Sequence, residues 1–282
     1  MRRLAQYAMT GNKQATMVAV LFAIIPVLFW ISAALVALVI LRKGYQAGAS
    51  VFMWSLLPAI AWWSNGDPTP ALTLIGVAGL ASVLRYSANW AYVLVASLLA
   101  ATASMPILAS YLQDVMVAFA EAGIQLEAQQ KLPENVDKVL LQTLMEGVLG
   151  AVHMAILLAC VVLARWWQAA LYNPGGFQAE FHQLCLPLWL TGTLALAVFG
   201  LSSITDMTQW LFVLSIPLLF AGLALVHGLV EQLKLGRVWL TAIYIGLLLS
   251  SAVVFTLLAI LATLDSVFKL RQRLPVRVKK QN

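Results

Sequence analysis

Residues 146–184 read EGVLGAVHMAILLACVVLARWWQAALYNPGGFQAEFHQL, and this stretch decides the fold. The first part is apolar apart from Glu146 and His153. A run of about 20 apolar residues, at 1.5 Å per residue, is long enough to cross the hydrocarbon core of a bilayer as an α-helix. The run ends on Arg-Trp-Trp at 165–167, and an Asn-Pro-Gly-Gly turn follows. The stretch therefore predicts a transmembrane helix that ends at the membrane surface.

The rest of the chain has the same apolar character. The 282 residues are 62% hydrophobic and only 10% charged, with a mean hydropathy of +0.90. Soluble domains carry about 25% charged residues, so this composition excludes a water-soluble fold. By the same length rule, eight runs are predicted spans: 16–41, 46–63, 69–85, 88–112, 143–165, 186–203, 208–228 and 238–266. We predict an all-α polytopic bundle, a single membrane domain over residues 1–282 whose surroundings are the lipid bilayer.

Pro26 interrupts the first of these runs. Proline lacks a backbone N–H and kinks or breaks a helix. The run at 16–41 is therefore either one kinked span or a re-entrant pair of shorter pieces, and a broken helix needs protein around it to satisfy its backbone. The kinked span is the preferred interpretation.

The distribution of positive charge predicts the orientation. Cytoplasmic loops carry an excess of Lys and Arg, and eight spans with both termini inside place eleven of the seventeen on the cytoplasmic face. The other six are Arg42, Lys43, Arg85, Arg165, Lys234 and Arg237. A hairpin at 16–41 would change the balance to nine against eight. We predict a bacterial inner-membrane protein with both termini cytoplasmic, whose basic tail at 269–282 faces anionic lipid rather than nucleic acid.

Residues 113–142 form the main break in hydropathy. Apolar residues recur here at helical spacing, while acidic and amide side chains occupy the other positions. The pattern predicts an amphipathic or hydrophilic helical insertion, which lies along the membrane surface or forms a water-exposed helical hairpin. Pro133 suits the first turn of the helix that follows. The insertion is also a candidate docking surface for another membrane protein.

Two side chains of the decisive stretch are candidates for binding a solute. Glu146, Gly150 and His153 follow i, i+4, i+7 and so share one face of the predicted helix. Ionisable groups inside a bilayer usually face the bundle interior or a cavity. A solvated Glu146 near the boundary and a hydrogen-bonded His153 in the core are the alternatives.

Five further residues are candidates for the same site. Trp30 and Trp54 lie away from the ends of the predicted spans, where they either stack on a ligand or fill the core. Asn173, Gly175 and Gly176 belong to the turn, whose backbone amides either form an anion-binding nest or simply reverse the chain.

Two pairs of ionisable residues recur at i, i+4 spacing. His227 and Glu231 have the spacing of two metal ligands, but no third ligand or HExxH motif accompanies them, so a surface ion pair is the better interpretation. Asp265 and Lys269 predict an interfacial salt bridge. Since the sequence also contains no hydrolase or phosphoryl-transfer motif, we expect no metal, no cofactor, no catalytic residue and no enzymatic activity.

Three segments resemble the YybS-like family of predicted bacterial membrane proteins. They are ARWWQAALYNPGGFQAEFHQL at 164–184, LVALVILRKGYQAG at 35–48 and LDSVFKLRQRL at 264–274. That family is similar, in hydropathy and an N-terminal Arg-x-Gly pattern, to the substrate-binding S components of energy-coupling-factor vitamin transporters. S components typically have six spans, where this sequence predicts about eight. The resemblance implies neither a substrate nor catalytic residues.

The sequence thus predicts an integral membrane protein that binds a small solute or assists its transport. The site is expected within the bundle, near the first, second and fifth spans. The alternative is a non-transporting membrane scaffold, with the insertion at 113–142 and the basic tail as its docking surfaces.

Overall fold

The described part of the chain is all-helical. A computed structural model describes residues 1–128, 138–202, 204, 207–236 and 238–273. The structure is 89% helix, with no strand among the described residues, which confirms the predicted all-α class. Within the described residues, five helices are long and apolar enough to cross a membrane: Pro26–Lys43, Thr69–Ser87, Trp90–Tyr111, Lys138–Tyr172 and Thr208–Gln232. Shorter apolar helices are Leu188–Leu201, Val238–Leu249 and Val253–Phe268.

The helices follow one another with short connections. In chain order they are α1 (Arg2–Met9), α2 (Asn12–Ile24), α3 (Phe29–Lys43), α4 (Tyr45–Ser64), α5 (Thr69–Ser87), α6 (Trp90–Tyr111), α7 (Gln113–Ala128), α8 (Lys138–Tyr172), α9 (Gly176–His182), α10 (Leu188–Leu201), α11 (Thr208–Gln232), α12 (Val238–Leu249), α13 (Ser251–Phe268) and α14 (Leu270–Arg273). A 3₁₀ turn at Pro26–Leu28 leads into α3. Six of the eight predicted runs coincide with single helices.

The chain divides into two compact units. Unit 1 comprises Met1–Pro174 and Leu201–Val213, and unit 2 comprises Gly175–Gly200 and Leu214–Asn282. The predicted single membrane domain concerns the two units together and stays a prediction. In unit 1, α3 is the central helix, because every residue from Ile31 to Leu41 is buried and α2, α4, α5 and α8 pack around it.

Pro26 divides the first apolar run into two helices that lie side by side. Ile25 before it is extended (φ −87°, ψ 116°), as expected for a residue that precedes proline. Lys43 Nζ, at the end of α3, donates to Asn12 Oδ1 at the start of α2 over 3.1 Å. The run at 16–41 is therefore an antiparallel pair and not the preferred kinked span. The prediction that Lys43 and the N-terminus lie on opposite faces is wrong for the same reason.

Both ends of this hairpin belong to one end of unit 1, which we name the basic end. Its residues are Lys13, Arg42, Lys43, Arg85 and Arg165. The Leu41 carbonyl accepts hydrogen bonds from Arg85 Nη1 (2.6 Å) and Gln168 Nε2 (3.1 Å). The last carbonyls of a helix have no intrahelical donor, so these side chains satisfy α3 and fix α5 and α8 beside it. The Arg42 guanidinium lies 4.0 Å from the Tyr172 ring centroid.

The described residues of the insertion at 113–142 belong to α7 and to the start of α8, and residues 129–137 lie outside the described part of the chain. The two alternatives for the insertion stay predictions. α7 packs against α8, and Lys138 Nζ lies 3.7 Å from Glu121 Oε1. α8 has 35 residues and is about 52 Å long, whereas the hydrocarbon core is about 30 Å thick. α8 is therefore longer than one membrane crossing requires, and α7 packs beside its additional turns. The prediction for Pro133 lies outside the described residues.

The last apolar run of the chain, in unit 2, is also divided. Ser250 leaves the helical region (φ −142°, ψ 60°), and α12 and α13 pack against each other. A Cβ on Gly246 would lie 3.0 Å from Val254 Cγ2, so the two helices approach closely on either side of the break. The prediction of one span over 238–266 is therefore wrong.

The C-terminal ends of α11 and α13 meet at one end of unit 2. Gln232 Nε2 donates to the Arg271 carbonyl over 2.9 Å, which brings Lys234 and Lys269 to the same end. These two lysines were predicted on opposite faces, and that prediction is wrong. The part of the basic tail beyond Arg273 lies outside the described residues.

Asp265 pairs with a different cation from the one predicted. Its Oδ2 lies 3.2 Å from Arg271 Nη2, and both side chains are largely buried. Lys269, the predicted partner, instead follows α13 as a left-handed cap residue (φ 50°). The reversal at Lys269 turns α14 back, so that Arg271 and not Lys269 reaches the carboxylate. The surface ion pair predicted for His227 and Glu231 forms instead between Glu231 and Lys234, over 2.7 Å.

Candidate solute-binding cavity

A cavity of about 560 Å³ opens in unit 1 between α6, α7, α8 and the first turn of α11. Small-molecule sites typically enclose about 300–1,000 Å³. Much of its lining is polar, with the side chains Thr102, Ser110, Gln113, Gln142, Glu146, Gln209 and Trp210. These polar groups share the lining with Met105, Pro106, Ala109 and Met116, around a space large enough for a small solute.

The α6 wall of the cavity contains a helix-breaking residue. Pro106 lies inside α6 and lines the cavity together with Thr102, four residues before it. Since proline has no N–H, the Thr102 carbonyl loses its usual helical partner. An unsatisfied backbone acceptor inside a membrane is costly. A polar ligand, or water in the cavity, is a suitable partner for it.

A glycine brings the first turn of α11 onto α8. A Cβ built on Gly147 would lie 2.5 Å from the Gln209 carbonyl oxygen and 2.7 Å from its Cα. Only a glycine permits such an approach. The side-chain oxygen Oε1 of Gln209 is buried and has no hydrogen-bond partner among the described residues. Gln209 thus lines the cavity while its Oε1 stays buried between the helices.

Glu146 supplies the negative charge of the cavity. It is half-buried on α8, one turn after Gln142. Of the described residues that line the cavity, Glu146 alone is ionisable. No described Lys, Arg or His forms an ion pair with it. The cavity therefore combines a carboxylate that pairs with no described cation with neutral hydrogen-bonding groups.

His153 lies on the same face of α8 but outside the cavity lining. It is only 3% exposed, and its Nδ1 has no hydrogen-bond partner among the described residues. Gly150 lies between it and Glu146, and a Cβ there would be 2.9 Å from both Met105 Sδ and Val213 Cγ2. Tight packing at Gly150 thus separates His153 from the cavity.

The two predicted tryptophans are not brought to the cavity either. The Trp30 carbonyl accepts a hydrogen bond from Cys160 Sγ (3.5 Å) where α3 meets α8. Because Pro26 ends α2, Trp30 lies in the first turn of α3 and not in the middle of a span. Trp54 is 57% exposed on the outer surface of α4, so it fills no part of the core.

The Asn-Pro-Gly-Gly segment forms a tight turn, and none of its candidate residues lines the cavity. Asn173 is exposed, and its N–H donates to the Ala169 carbonyl over 2.8 Å. Gly175 has φ +84°, a conformation that favours glycine, and Gly176 begins α9. Chain reversal explains this composition without a bound anion.

The glutamines of the cavity are candidate site residues that the sequence did not predict. Gln113 and Gln142 are in the insertion, which was interpreted as a docking surface, and Gln209 begins a later helix. One signal was present, because Gln142 and Glu146 have the i, i+4 spacing that places two side chains on one helix face. A proline within the apolar α6 was a second.

A separate aromatic and imidazole cluster lies in unit 2. His227 Nδ1 lies 2.9 Å from the Leu223 carbonyl and therefore donates to it, which leaves Nε2 of the neutral ring to accept from Tyr244 Oη at 3.3 Å. The His182 ring lies 6.4 Å from that of His227. Burial is the main cause that lowers the pKa of His182. Among the described residues no three potential ligands gather to hold a metal ion.

Comparisons with protein-family models, with curated proteins and with solved structures find no match for this chain. The class of protein is therefore defined by the fold alone, as a helical protein with several helices able to cross a membrane. A function has to be inferred from the unit 1 cavity.

Proposed function

We propose that this protein binds a small cationic solute in the unit 1 cavity and assists its movement across the membrane. The observation that supports this is the Glu146 carboxylate, which has no described cation as its partner and lies among amide and hydroxyl groups. A half-buried carboxylate is stabilised by a partner that supplies both positive charge and hydrogen bonds. The hydroxyl of Thr102 and the amides of Gln113 and Gln142 line the same cavity and suit further N–H or O–H donors. An amine that carries additional donors is the expected substrate class.

The charges of unit 1 support a definite orientation. α1 carries Arg2 and Arg3 and leads into α2 at the basic end, which then holds seven of the eight described Lys and Arg residues of unit 1. The eighth, Lys138, begins α8 at the opposite end. By the positive-inside rule, the basic end faces the cytoplasm. The cavity, at the starts of α7 and α8, then opens towards the other side.

The two hairpins support cytoplasmic termini. A hairpin returns the chain to the side it came from, so the N-terminus and Lys43 share one side. In unit 2 the described Lys234, Lys269, Arg271 and Arg273 gather at one end, which the same rule assigns to the cytoplasm. We propose a multi-pass protein of a bacterial inner membrane, in keeping with the resemblance to the YybS-like family. The eight apolar runs then include two hairpins in place of two single spans.

A thermal-stability panel tests the proposed binding. The purified full chain in detergent is heated with small amines, neutral polyols and small carboxylates in turn. A ligand at 100 times its Kd stabilises the folded state by about 2.7 kcal/mol. We expect an amine to raise the unfolding midpoint and the carboxylates to have no effect. Stabilisation by carboxylates alone would contradict the proposal.

Replacing Glu146 with glutamine is expected to weaken binding of the stabilising amine by about tenfold or more, equivalent to about 1.4 kcal/mol. The side chain keeps its size, and only the charge is lost. Binding is measured by titration of the purified protein. Glu121→Gln is the matched control, because this carboxylate lies on α7 outside the cavity lining and should leave the affinity unchanged. Equal affinity in wild type and Glu146→Gln would refute the role of Glu146.

The alternative function, a membrane scaffold, is favoured by one observation. α7 exposes the apolar side chains Val115 (58%), Phe119 (49%) and Ile124 (39%), and exposed apolar clusters often mark interaction sites. A partner that co-purifies in stoichiometric amount, and is lost on Phe119→Ser, would favour this function if no solute in the panel stabilises the chain.

A further inference from the structure

A second, apolar recess lies on the outer surface of unit 1. It has a volume of about 270 Å³ and lies where α4 and α5 meet the end of α3. Its walls include Ile40, Phe52, Met53 and Ile75, with the small residues Ala49 and Gly79 between them. Met53 is 61% exposed and Ile75 49% exposed. The recess is therefore a groove open to the surroundings of the unit, and we name it the α4–α5 groove.

The surface of the groove is hydrocarbon, with almost no polar group available to bind a ligand. Its one hydroxyl on α5, Ser82 Oγ, donates to the Ala78 carbonyl of its own helix over 2.8 Å. A Cβ on Gly79 would meet no atom within 4 Å, so the floor of the groove is open space. A flexible alkyl chain fits such a surface better than a polar solute does.

One end of the groove carries positive charge. Tyr45 and Ser82 line this end, and Arg85 follows Ser82 by less than one helical turn. Arg85 Nη2 lies 3.4 Å from the position of a Cβ on Gly44, the neighbour of Tyr45. Its Nη1 donates to the Leu41 carbonyl, which fixes the exposed guanidinium at the mouth. Lys43 belongs to the same end.

No described acidic side chain of unit 1 belongs to this end. The described acidic residues of unit 1 are Asp67, Asp114, Glu121, Glu127 and Glu146, on the α4–α5 turn, on α7 and at the start of α8. An anion at the mouth of the groove is therefore attracted by Arg85 and is not repelled by any described carboxylate of unit 1. Basic pockets beside transmembrane helices on the cytoplasmic side suit anionic lipid head groups.

We infer that the α4–α5 groove binds an anionic phospholipid of the leaflet at the basic end, with one acyl chain in the groove and the phosphate head group at Arg85. Apolar walls explain the retention of an acyl chain, because each buried methylene contributes to binding. The guanidinium explains a preference for negative charge, and it donates in the planar geometry that a phosphate accepts.

The inference is tested with phosphatidylglycerol and phosphatidylcholine that carry the same acyl chains. Each is titrated into delipidated full-length protein in detergent, and bound lipid is counted by native mass spectrometry. We expect one phosphatidylglycerol to bind in preference to phosphatidylcholine. Gly79→Leu fills the groove and should weaken this binding on the order of tenfold or more. Arg85→Gln should remove the preference between the two lipids, and Arg85→Lys should retain part of it.

A matched control separates filling of the groove from damage to the fold. Gly200→Leu adds the same side chain at an exposed helical glycine of α10, where a Cβ also meets no atom within 4 Å, and should leave binding unchanged. A photoreactive phosphatidylglycerol, with its reactive group on the acyl chain, should label wild-type peptides that contain Phe52 or Met53. Labelling elsewhere only, equal binding of both lipids, or full binding by Gly79→Leu would overturn the inference.

Discussion

Replacement of Asp265 with asparagine is expected to destabilise the folded protein by about 3–5 kcal/mol. Asp265 is 2% exposed and faces Arg271, whose guanidinium donates through Nη1 to the His182 carbonyl over 2.7 Å. Burial lowers the pKa of Arg271, and the Asp265 carboxylate opposes that shift. Asparagine keeps the volume of the side chain but leaves the buried Arg271 cation without its carboxylate. Removing one partner of a buried ion pair is strongly destabilising because the remaining charge is uncompensated.

The midpoint of denaturant unfolding in detergent measures this loss. Glu231→Gln is the control, because its ion pair with Lys234 is exposed and such pairs contribute about 0–1 kcal/mol. A double replacement of Asp265 and Arg271 by leucine removes both charges and should recover much of the stability. If Asp265→Asn and wild type unfold at the same denaturant concentration within error, the ion pair does not stabilise the packing of α14 against α13.

The second large effect is expected at Gly147, where valine should cost about 1–3 kcal/mol. The new side chain would collide with the Gln209 backbone, and backbone cannot move aside as a flexible side chain does. α8 and the first turn of α11 would have to separate. Since Gln209 also lines the cavity, Gly147→Val should weaken amine binding as well as stability, in the same unfolding and titration assays.

Gly192→Val is the matched control for the change in helix propensity. Both glycines are inside helices, but a Cβ on Gly192, in α10, meets nothing within 4 Å. The two variants therefore share the cost of a β-branched residue and differ only in the collision. Equal stability of the two would show that α8 and α11 do not approach as closely as described.

The sequence predicted the all-α class and the positions of most helices because apolar runs and turn residues are local signals. Six predicted runs match single helices for that reason. The runs at 16–41 and 238–266 were misread, since length and hydropathy are the same for a long span and for a tight hairpin. Pro26 was a visible warning. Ser250 carried no comparable signal, and only the packing of α12 on α13 shows the break.

The candidate site was predicted only at Glu146. This carboxylate was found because a charge in an apolar run is conspicuous at the level of sequence. The other lining residues come from four helices far apart in the chain, and no spacing rule connects Gln113 with Gln209. Trp54 and His153 show the opposite error: each is conspicuous in sequence, yet one faces outwards and the other is sealed into the core.

Two proposals depend on the hairpin formed by α2 and α3. They are the cytoplasmic leaflet for the bound lipid and the opposite side of the membrane for the cavity mouth. Single cysteines at positions 13, 43 and 67, in a chain whose Cys160 and Cys185 have been replaced, can be labelled in intact cells with a membrane-impermeant maleimide. We expect Lys13→Cys and Lys43→Cys to be protected until the membrane is permeabilised, and Asp67→Cys to react from outside. Reaction of Lys13→Cys and Lys43→Cys from opposite sides would contradict the topology on which both proposals rest.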